Sequence, residues 1–388
     1  MEERVMDDTL IQPVLFDVLT ANNGSRIGVA TLNAEKTLNA LSLEMIDLLW
    51  TQLTAWAADA GIAFVVLQAV GEKAFCAGGD LQNLYRAMLA HHSSGAKNDI
   101  CGNAYANDFF EREYRLDYLI HTYPKPVLCW GHGIVMGGGI GLMAGASHRV
   151  VTEKSRMAMP EVAIGLFPDV GGTWFLSRMP GRLGQFLALT GAAINASDAK
   201  FVKLADYAIV QAKKQEVLDS LLDQPWSAAP AENSRLLGAV LRQAQSPQDF
   251  PAGPLRQHFD LIESVCDSES LAQTVAAIKA LDADDAWLKK AAAAVAAAAP
   301  VSLHLAWLLL QRAPHLSLAQ VFRMEYAAAL HCAAGPDFAE GIRALLIDKD
   351  QKPQWQSAAA IEGNGDWQEK VTRGPWSDKT HPLADLGL

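Results

Sequence analysis

The first 150 residues switch repeatedly between strand-like and helix-like hydrophobic patterns. Val14–Leu19 reads as a strand, Asn22, Asn23 and Gly24 as a turn, and Arg26–Leu32 as a second strand, so the domain opens on a hairpin. Ser42 then caps a helix to about Ala58, with apolar positions at Met45, Leu48, Leu49, Leu53 and Trp56. Phe64–Ala69 has the unbroken apolar run of a buried strand and closes at Gly71. Leu81–His91 is short and helical. Residues 93–107 are small and polar and predict a mobile loop. Asp108–His121 is amphipathic, and Pro124 and Pro126 separate it from a strand at Val127–Trp130. An apolar helix after Gly139 and a strand near Arg149–Thr152 continue the βαβ rhythm. That rhythm predicts an α/β core.

The pattern changes after about residue 215, where strand signals nearly vanish. Residues 271–299 are rich in Ala and Leu and read as one packed helix that Pro300 stops. Ser302 is placed to cap Leu303–Arg312, Ser317 a helix to Leu330, and Asp337–Leu346 reads as a further short helix. The division expected is a core over 12–215 and a mainly helical region over 216–388.

The chain has 388 residues, half of them hydrophobic and 19% charged, which describes a soluble globular protein. At roughly 100–200 residues per domain, two domains or one large domain with an appendage are expected. The net charge is −11 and no Lys/Arg run exists to neutralise phosphates, so no nucleic-acid partner is expected. A small anionic ligand is still allowed, because a local site can oppose the global field. No stretch is clean enough for a membrane span; residues 126–147 come nearest, and their glycines and His132 fit a soluble fold better. The acidic start MEERVMDD resembles neither a secretory signal nor a transit peptide. Five cysteines, all far apart, predict free thiols, and with the acidic start they point to the cytoplasm.

Glycine sharpens the picture. Of 29 glycines, 13 lie between Gly131 and Gly191, and only eight follow residue 200. Three segments stand out around this crowding. Lys73–Asp80, KAFCAGGD, joins a strand to a helix through a small-residue turn that points backbone N–H groups outward. Taken alone it is also an ordinary tight turn. PKPVLCWGHGIVMGGGIGLMAG, residues 124–145, contains Gly139-x-Gly141-x-x-Ala144, a formal match to the dinucleotide fingerprint. That fingerprint needs its first glycine directly after a strand, and Gly131, Gly133, Gly137 and Gly138 intervene here. A triple glycine opening an apolar helix suits instead close approach of a ligand carbonyl to bare amides. The third segment, MPEVAIGLFPDVGG over 159–172, sets Glu161 and Asp169 in apolar, glycine-rich surroundings. Such carboxylates have raised pKa values and suit acid–base work, or else they cap turns. No P-loop, HExxH, GxSxG or metal-ligand spacing occurs, and His132 reads as structural.

In this order the segments KAFCAGGDL, MGGGIGL and MPEVAIGLFPDVGGTWFLSRMPG resemble the crotonase (enoyl-CoA hydratase/isomerase) superfamily. With DFAEGIRALLIDKDQKPQW near the end, the chain is similar over roughly residues 14–355 to the hydrolase branch of that superfamily. The resemblance implies a spiral of repeated ββα units with a helical C-terminal region. It places Gly79 and Gly138 as donors of one N–H each to a thioester oxygen, with room left by Gly137 and Gly139. It pairs Glu161 with Asp169, and makes Glu113 in FEREY a substrate contact. Gly171 and Gly172 would shape the turn after Asp169. Hydratases of the superfamily carry a second glutamate where this chain has Gly141, and adding water to C=C needs both a base and an acid. The residues therefore favour thioester hydrolysis over hydration, and the resemblance implies a short branched 3-hydroxyacyl-CoA substrate, such as 3-hydroxyisobutyryl-CoA in valine degradation. Glu161 would attack the carbonyl or activate water; Asp169 would bind the substrate hydroxyl or hold Glu161 and its water. The rivals are hydratase or isomerase chemistry on another acyl-CoA, and acyl-CoA binding without catalysis. The resemblance implies no metal or redox cofactor, with coenzyme A entering as part of the substrate. It sets the adenine end near Asn33–Ala40 and Phe75–Gly78, and allows a homo-oligomer.

Overall fold

The computed structural model describes residues 12–281, 284–361 and 364–388. The acidic opening segment used above for the compartment lies outside these described residues.

Strands β1 (Val14–Thr20) and β2 (Arg26–Leu32) form the expected antiparallel hairpin. Helix α1 (Leu43–Ala58) starts where Ser42 accepts the Met45 N–H, and buries Met45, Ile46, Leu49, Leu53 and Trp56. Then come β3 (Ile62–Ala69), β4 (Ala74–Cys76), α2 (Leu81–His92) and α3 (Ala104–His121). They are followed by β5 (Val127–Gly131), β6 (Ile134–Met136), α4 (Gly138–Ala144), β7 (His148–Val151) and β8 (Arg156–Ala158). After a 3₁₀ turn at Glu161–Ile164 come α5 (Gly172–Leu176), α6 (Leu183–Thr190), β9 (Ile194–Asn195), α7 (Ala196–Phe201) and β10 (Tyr207–Ala208).

The strands form two sheets. One runs β1-β2-β3-β5-β7-β10, the other β4-β6-β8-β9. From β3 to β8 successive strands alternate between them, β9 then joins the second sheet beside β8 and β10 the first beside β7, and all but the β1–β2 and β8–β9 pairings are parallel. Each ββα turn of the chain thus adds one strand to each sheet, as the expected spiral requires. The strands of the second sheet are too short to show a period in the sequence.

Among the described residues no strand follows Ala208. The helices are α8 (Lys214–Leu222), α9 (Pro230–Ala244), α10 (Pro254–Gln257), α11 (Phe259–Cys266) and α12 (Leu271–Lys279). They continue with α13 (Ala286–Ala297), α14 (Pro300–Arg312), α15 (Leu318–Ala334), α16 (Pro336–Ile342) and α17 (Gly365–Arg373). One buried cluster runs from Val14 through Phe75, Tyr114 and Phe167 to Phe322, Phe338 and Leu386, joining α10 to α17 to the spiral, while α8 and α9 pack in a second cluster with Phe64, Leu128 and Trp130.

Several local expectations need correction. The helix expected from Asp108 begins at Ala104, because the Asn103 side chain accepts the Ala106 N–H and Ala106 is buried. Only residues 93–103 of the proposed loop are therefore non-helical. The single helix expected over 271–299 is two, α12 and α13, each with its own side-chain cap from Ser270 or Asp285. Ser302 does not cap α14; that helix starts with Pro300 at its first position and buries Ser302 within its first turn. Residues 126–147, the nearest approach to a membrane span, are β5, β6 and α4. Among the described residues no single helix is long and apolar enough to cross a membrane.

Candidate active site

Strands β4, β6 and β8 are parallel neighbours, and each ends at one of the glycine-rich segments. Gly79 follows β4, Gly138 follows β6, and Glu161 follows β8. The fold therefore brings all three segments to the same edge of the second sheet, at the carboxyl ends of its strands. Ligands bind in that position in many parallel α/β folds.

A cavity of about 90 Å³ opens there. Its wall includes Gly78, Gly79, Phe109, Glu113, Gly137, Gly138, Glu161, Asp169, Val170 and Phe338. All five residues picked out for the site, Gly79, Gly138, Glu113, Glu161 and Asp169, thus share one space. The rest of the lining is largely apolar, from Leu81, Leu84, Phe110, Met136, Ile164 and Leu166.

The two glycine amides are close together and unused. The neighbouring backbone bonds run from Leu41 N–H to Gly78 O at 2.8 Å and from Asp80 N–H to Leu41 O at 3.0 Å, passing over the Gly79 amide. Gly138 opens α4, so its N–H has no partner within the helix. A Cβ on Gly138 would lie 3.7 Å from the Gly79 nitrogen and 2.4 Å from Oε1 of Glu113. A side chain there would fill the space the two amides face. Gly137 has φ +49, and a Cβ on it would meet Oε1 of Glu161 at 2.9 Å. Its bareness makes room for that carboxyl group. Gly139 serves another purpose than the one expected: its Cα faces Cys76 O, 2.3 Å from where a Cβ would be, so it lets α4 pack on β4 rather than clearing space for a ligand oxygen.

Among the described residues no cation pairs with these carboxyl groups. Glu161 is buried, and its Oε2 has no hydrogen-bond partner. Burial, reinforced by Asp169, lifts its acid well above the ordinary carboxylate range. Asp169 accepts the Tyr114 hydroxyl on Oδ2 at 2.7 Å. Burial raises Asp169 to about 6, with the Tyr114 bond holding it down. Its carboxylate does not cap the following turn, which is closed by its backbone carbonyl accepting Gly172 N–H at 2.6 Å. The residues after it, Val170 and Gly171, both have left-handed backbone, φ +53 and +80. That conformation is unfavourable for a β-branched side chain. Glu113 is raised by burial and then by Asp169.

Sequence reasoning missed three polar partners. Tyr114 orients Asp169. Asp117, one turn after Glu113 on α3, is fully buried with neither oxygen bonded. It lies against Gly141, where a Cβ would meet its Oδ2 at 2.8 Å. Glu325 on α15 bonds to the turn after Asp169. His132 is structural as expected: buried, with Nε2 2.9 Å from Gly71 O. The segments expected at the adenine end do meet, through Ala77 N–H to Leu38 O at 3.1 Å.

The comparisons with known proteins agree with this geometry. The family model described as enoyl-CoA hydratase/isomerase matches residues 27–371. The chain belongs to the enoyl-CoA hydratase/isomerase family. Within it, the chain is 39% identical over 331 residues to the mitochondrial 3-hydroxyisobutyryl-CoA hydrolase of Danio rerio, covering 85% of this chain and 83% of that protein. To the Homo sapiens protein of the same name it is 36% identical over 335 residues, covering 85% and 82%. Among solved structures, an enoyl-CoA hydratase from Rhodobacter sphaeroides superposes with TM-score 0.75 at 31% identity, over 92% of this chain and 96% of that one. A carnitinyl-CoA dehydratase from Mycobacterium thermoresistibile gives 0.77 at 34% identity with the same coverage. The family's crotonase-type spiral and its helical C-terminal region are both present here.

Proposed function

We propose that this chain hydrolyses a short branched 3-hydroxyacyl-CoA thioester, converting 3-hydroxyisobutyryl-CoA to 3-hydroxyisobutyrate and coenzyme A, a reaction of valine degradation. The observation that carries the reading is the meeting of Glu161, whose Oε2 has no hydrogen-bond partner, with two unused amides in one largely apolar cavity. The names of the relatives at 36–39% identity support the substrate.

The amides of Gly79 and Gly138 form the oxyanion hole and hold the thioester oxygen. As the carbonyl carbon becomes tetrahedral, negative charge grows on that oxygen, and fixed donors in an apolar site stabilise it strongly. Removing one such donor typically costs about 10²–10³ in rate. Glu161 either attacks the carbonyl carbon or takes a proton from an attacking water. In the first route its oxygen bonds to carbon, the C–S bond breaks, and water then opens the anhydride and regenerates the carboxylate. In the second, water forms the new C–O bond directly. In both, sulfur leaves as the coenzyme A thiolate and is protonated by solvent. Burial makes Glu161 a stronger base than a surface glutamate, which suits either route. Asp169 either receives the substrate hydroxyl or steadies Glu161 and its water, and Glu113 contacts the substrate beside Gly138. The proposal includes no metal or redox group; coenzyme A enters as part of the substrate.

A second reading, addition of water to an enoyl-CoA, is suggested by the names of the two solved relatives. Gly141 offers no acid for it, and Asp117, which fills the space against Gly141, does not line the cavity. Assaying purified protein with 3-hydroxyisobutyryl-CoA for free thiol, and with crotonyl-CoA for loss of the double bond, separates the two. Thiol release supports hydrolysis; hydration without thiol release supports the second reading.

A further inference from the structure

Glu325 is fully buried on α15, far along the chain from the spiral, yet it spends both oxygens on the turn after Asp169. Oε2 accepts the Gly171 N–H at 2.8 Å and Oε1 accepts the Thr173 N–H at 2.9 Å. The Thr173 hydroxyl also donates to Oε1 in a short contact. Among the described residues no other side chain accepts from these two amides.

The turn so held is strained. Val170 and Gly171 are consecutive left-handed residues, and Val170 is β-branched. They begin directly at Asp169, whose carboxylate is tied on its other side to Tyr114. Helix α15 touches that tie as well: the Phe322 ring packs on the Tyr114 ring at 5.6 Å between centroids. One helix of the C-terminal region thus supports both the hydrogen-bond donor to Asp169 and the backbone that aims it.

The choice of residue matters. An acid buried without a cation is costly unless hydrogen bonds satisfy it. The groups acting on Asp169 or sharing its field are Glu113, Tyr114 and Asp117 from α3, Glu161 from the 3₁₀ turn, and Cys332 on α15. None is basic. Glu325 therefore adds a further acid to a crowded acidic site, and its compensation is the set of bonds to this one turn.

We propose that Glu325 is a positioning residue for the reaction: it holds the strained turn from Asp169 to Thr173 and through it the direction of the Asp169 carboxylate. The inference rests on the hydrolase reading, in which Asp169 works in the site. It makes the C-terminal helical region part of the active site rather than only its cover.

The test is a double-mutant cycle on the full chain with Glu325→Gln, Asp169→Asn and both together, following thiol release from 3-hydroxyisobutyryl-CoA. A misplacement of about 1 Å can cost on the order of 10²-fold in rate. Glu325→Gln is therefore expected to lower kcat about 10- to 100-fold in the native background. With Asp169→Asn already in place it is expected to cost less than about 3-fold, because coupled residues are not additive. Equal losses in both backgrounds would overturn the proposal. A second readout needs no Asp169 variant. Glu325→Gln is expected to lower kcat with KM changed less than about 3-fold, because a misdirected Asp169 affects the reaction step; a loss confined to KM counts against the proposal. Should Glu325→Gln fail to fold, Thr173→Val removes the hydroxyl bond alone, and the same cycle decides. If the wild type releases no thiol, it is the hydrolase reading that fails, and if Glu161→Gln and Asp169→Asn leave release intact, it is the assignment of the site, whatever Glu325 does.

Discussion

Gly341 of α16 rests directly on the backbone of Ile164: a Cβ at Gly341 would meet the Ile164 carbonyl carbon and oxygen at 2.4 Å. The contact is reciprocal, since a Cβ on Gly165 would meet the Asp337 carbonyl at 2.3 Å. Ile164 and Gly165 close the 3₁₀ turn that begins with Glu161. Two bare glycines thus let the C-terminal helix seat against the turn that carries the proposed base. Gly341→Ala forces the two backbones apart, and neither can yield as a flexible side chain would. The expected cost is about 1–3 kcal/mol of stability, as for overpacking elsewhere, together with a lower kcat. Thermal unfolding and thiol release check it; an unchanged midpoint with full activity would refute the contact.

Tyr114→Phe tests the tie on Asp169. The Tyr114 hydroxyl opposes the effect of burial on that acid. Without it, the Asp169 acid rises above its value of about 6. A hydrogen bond to a charged group contributes about 1.5–3 kcal/mol, so a rise of roughly one to two pH units is expected. If Asp169 works as the anion, the acid limb of kcat/KM moves to higher pH in the variant. A limb that stays put would show that Asp169 is not the group titrating there.

Much of the site was legible because its residues break local rules. A triple glycine opening a helix, and two carboxylates in an apolar stretch, are visible without any fold. Their convergence was not derivable from spacing; it depends on β4, β6 and β8, which have three residues each and no readable period. Asp117 and Glu325 were missed for a different reason. Asp117 lies in a helix with Arg112 and Arg115 and reads as part of a charged face. Glu325 did carry a signal: it is a lone acid between Met324 and the apolar run Tyr326–Leu330. An isolated charge on a buried helix marks a bond to something elsewhere in the fold. The split of α12 from α13 did carry a signal, since Asp282, Asp284 and Asp285 interrupt the Ala/Leu composition and Asp285 caps α13.

Asp117→Asn isolates the effect of a buried, unpaired acid. Burial, then Glu113 and Asp169, raise the Asp117 acid well above its ordinary 3.8. An acid raised in the folded state costs nothing below that ordinary value, where both states hold the proton. As pH climbs above 3.8 the unfolded chain ionises and the folded chain does not, so stability falls until the folded acid also ionises. Asparagine cannot ionise and lacks this loss. The unfolding midpoints of the two proteins are therefore expected to diverge with rising pH, the wild type falling relative to the variant. A constant difference from acid to neutral pH would show that Asp117 titrates normally.

The account stands or falls on Glu161. Its substitution by glutamine keeps size and removes the base or nucleophile. The most direct measurement is the rate of free thiol release from 3-hydroxyisobutyryl-CoA by the wild-type protein and by Glu161→Gln, at equal folded concentration. The prediction is ready release by the wild type and near-complete loss in the variant. Comparable release from both, or none from the wild type, would contradict it.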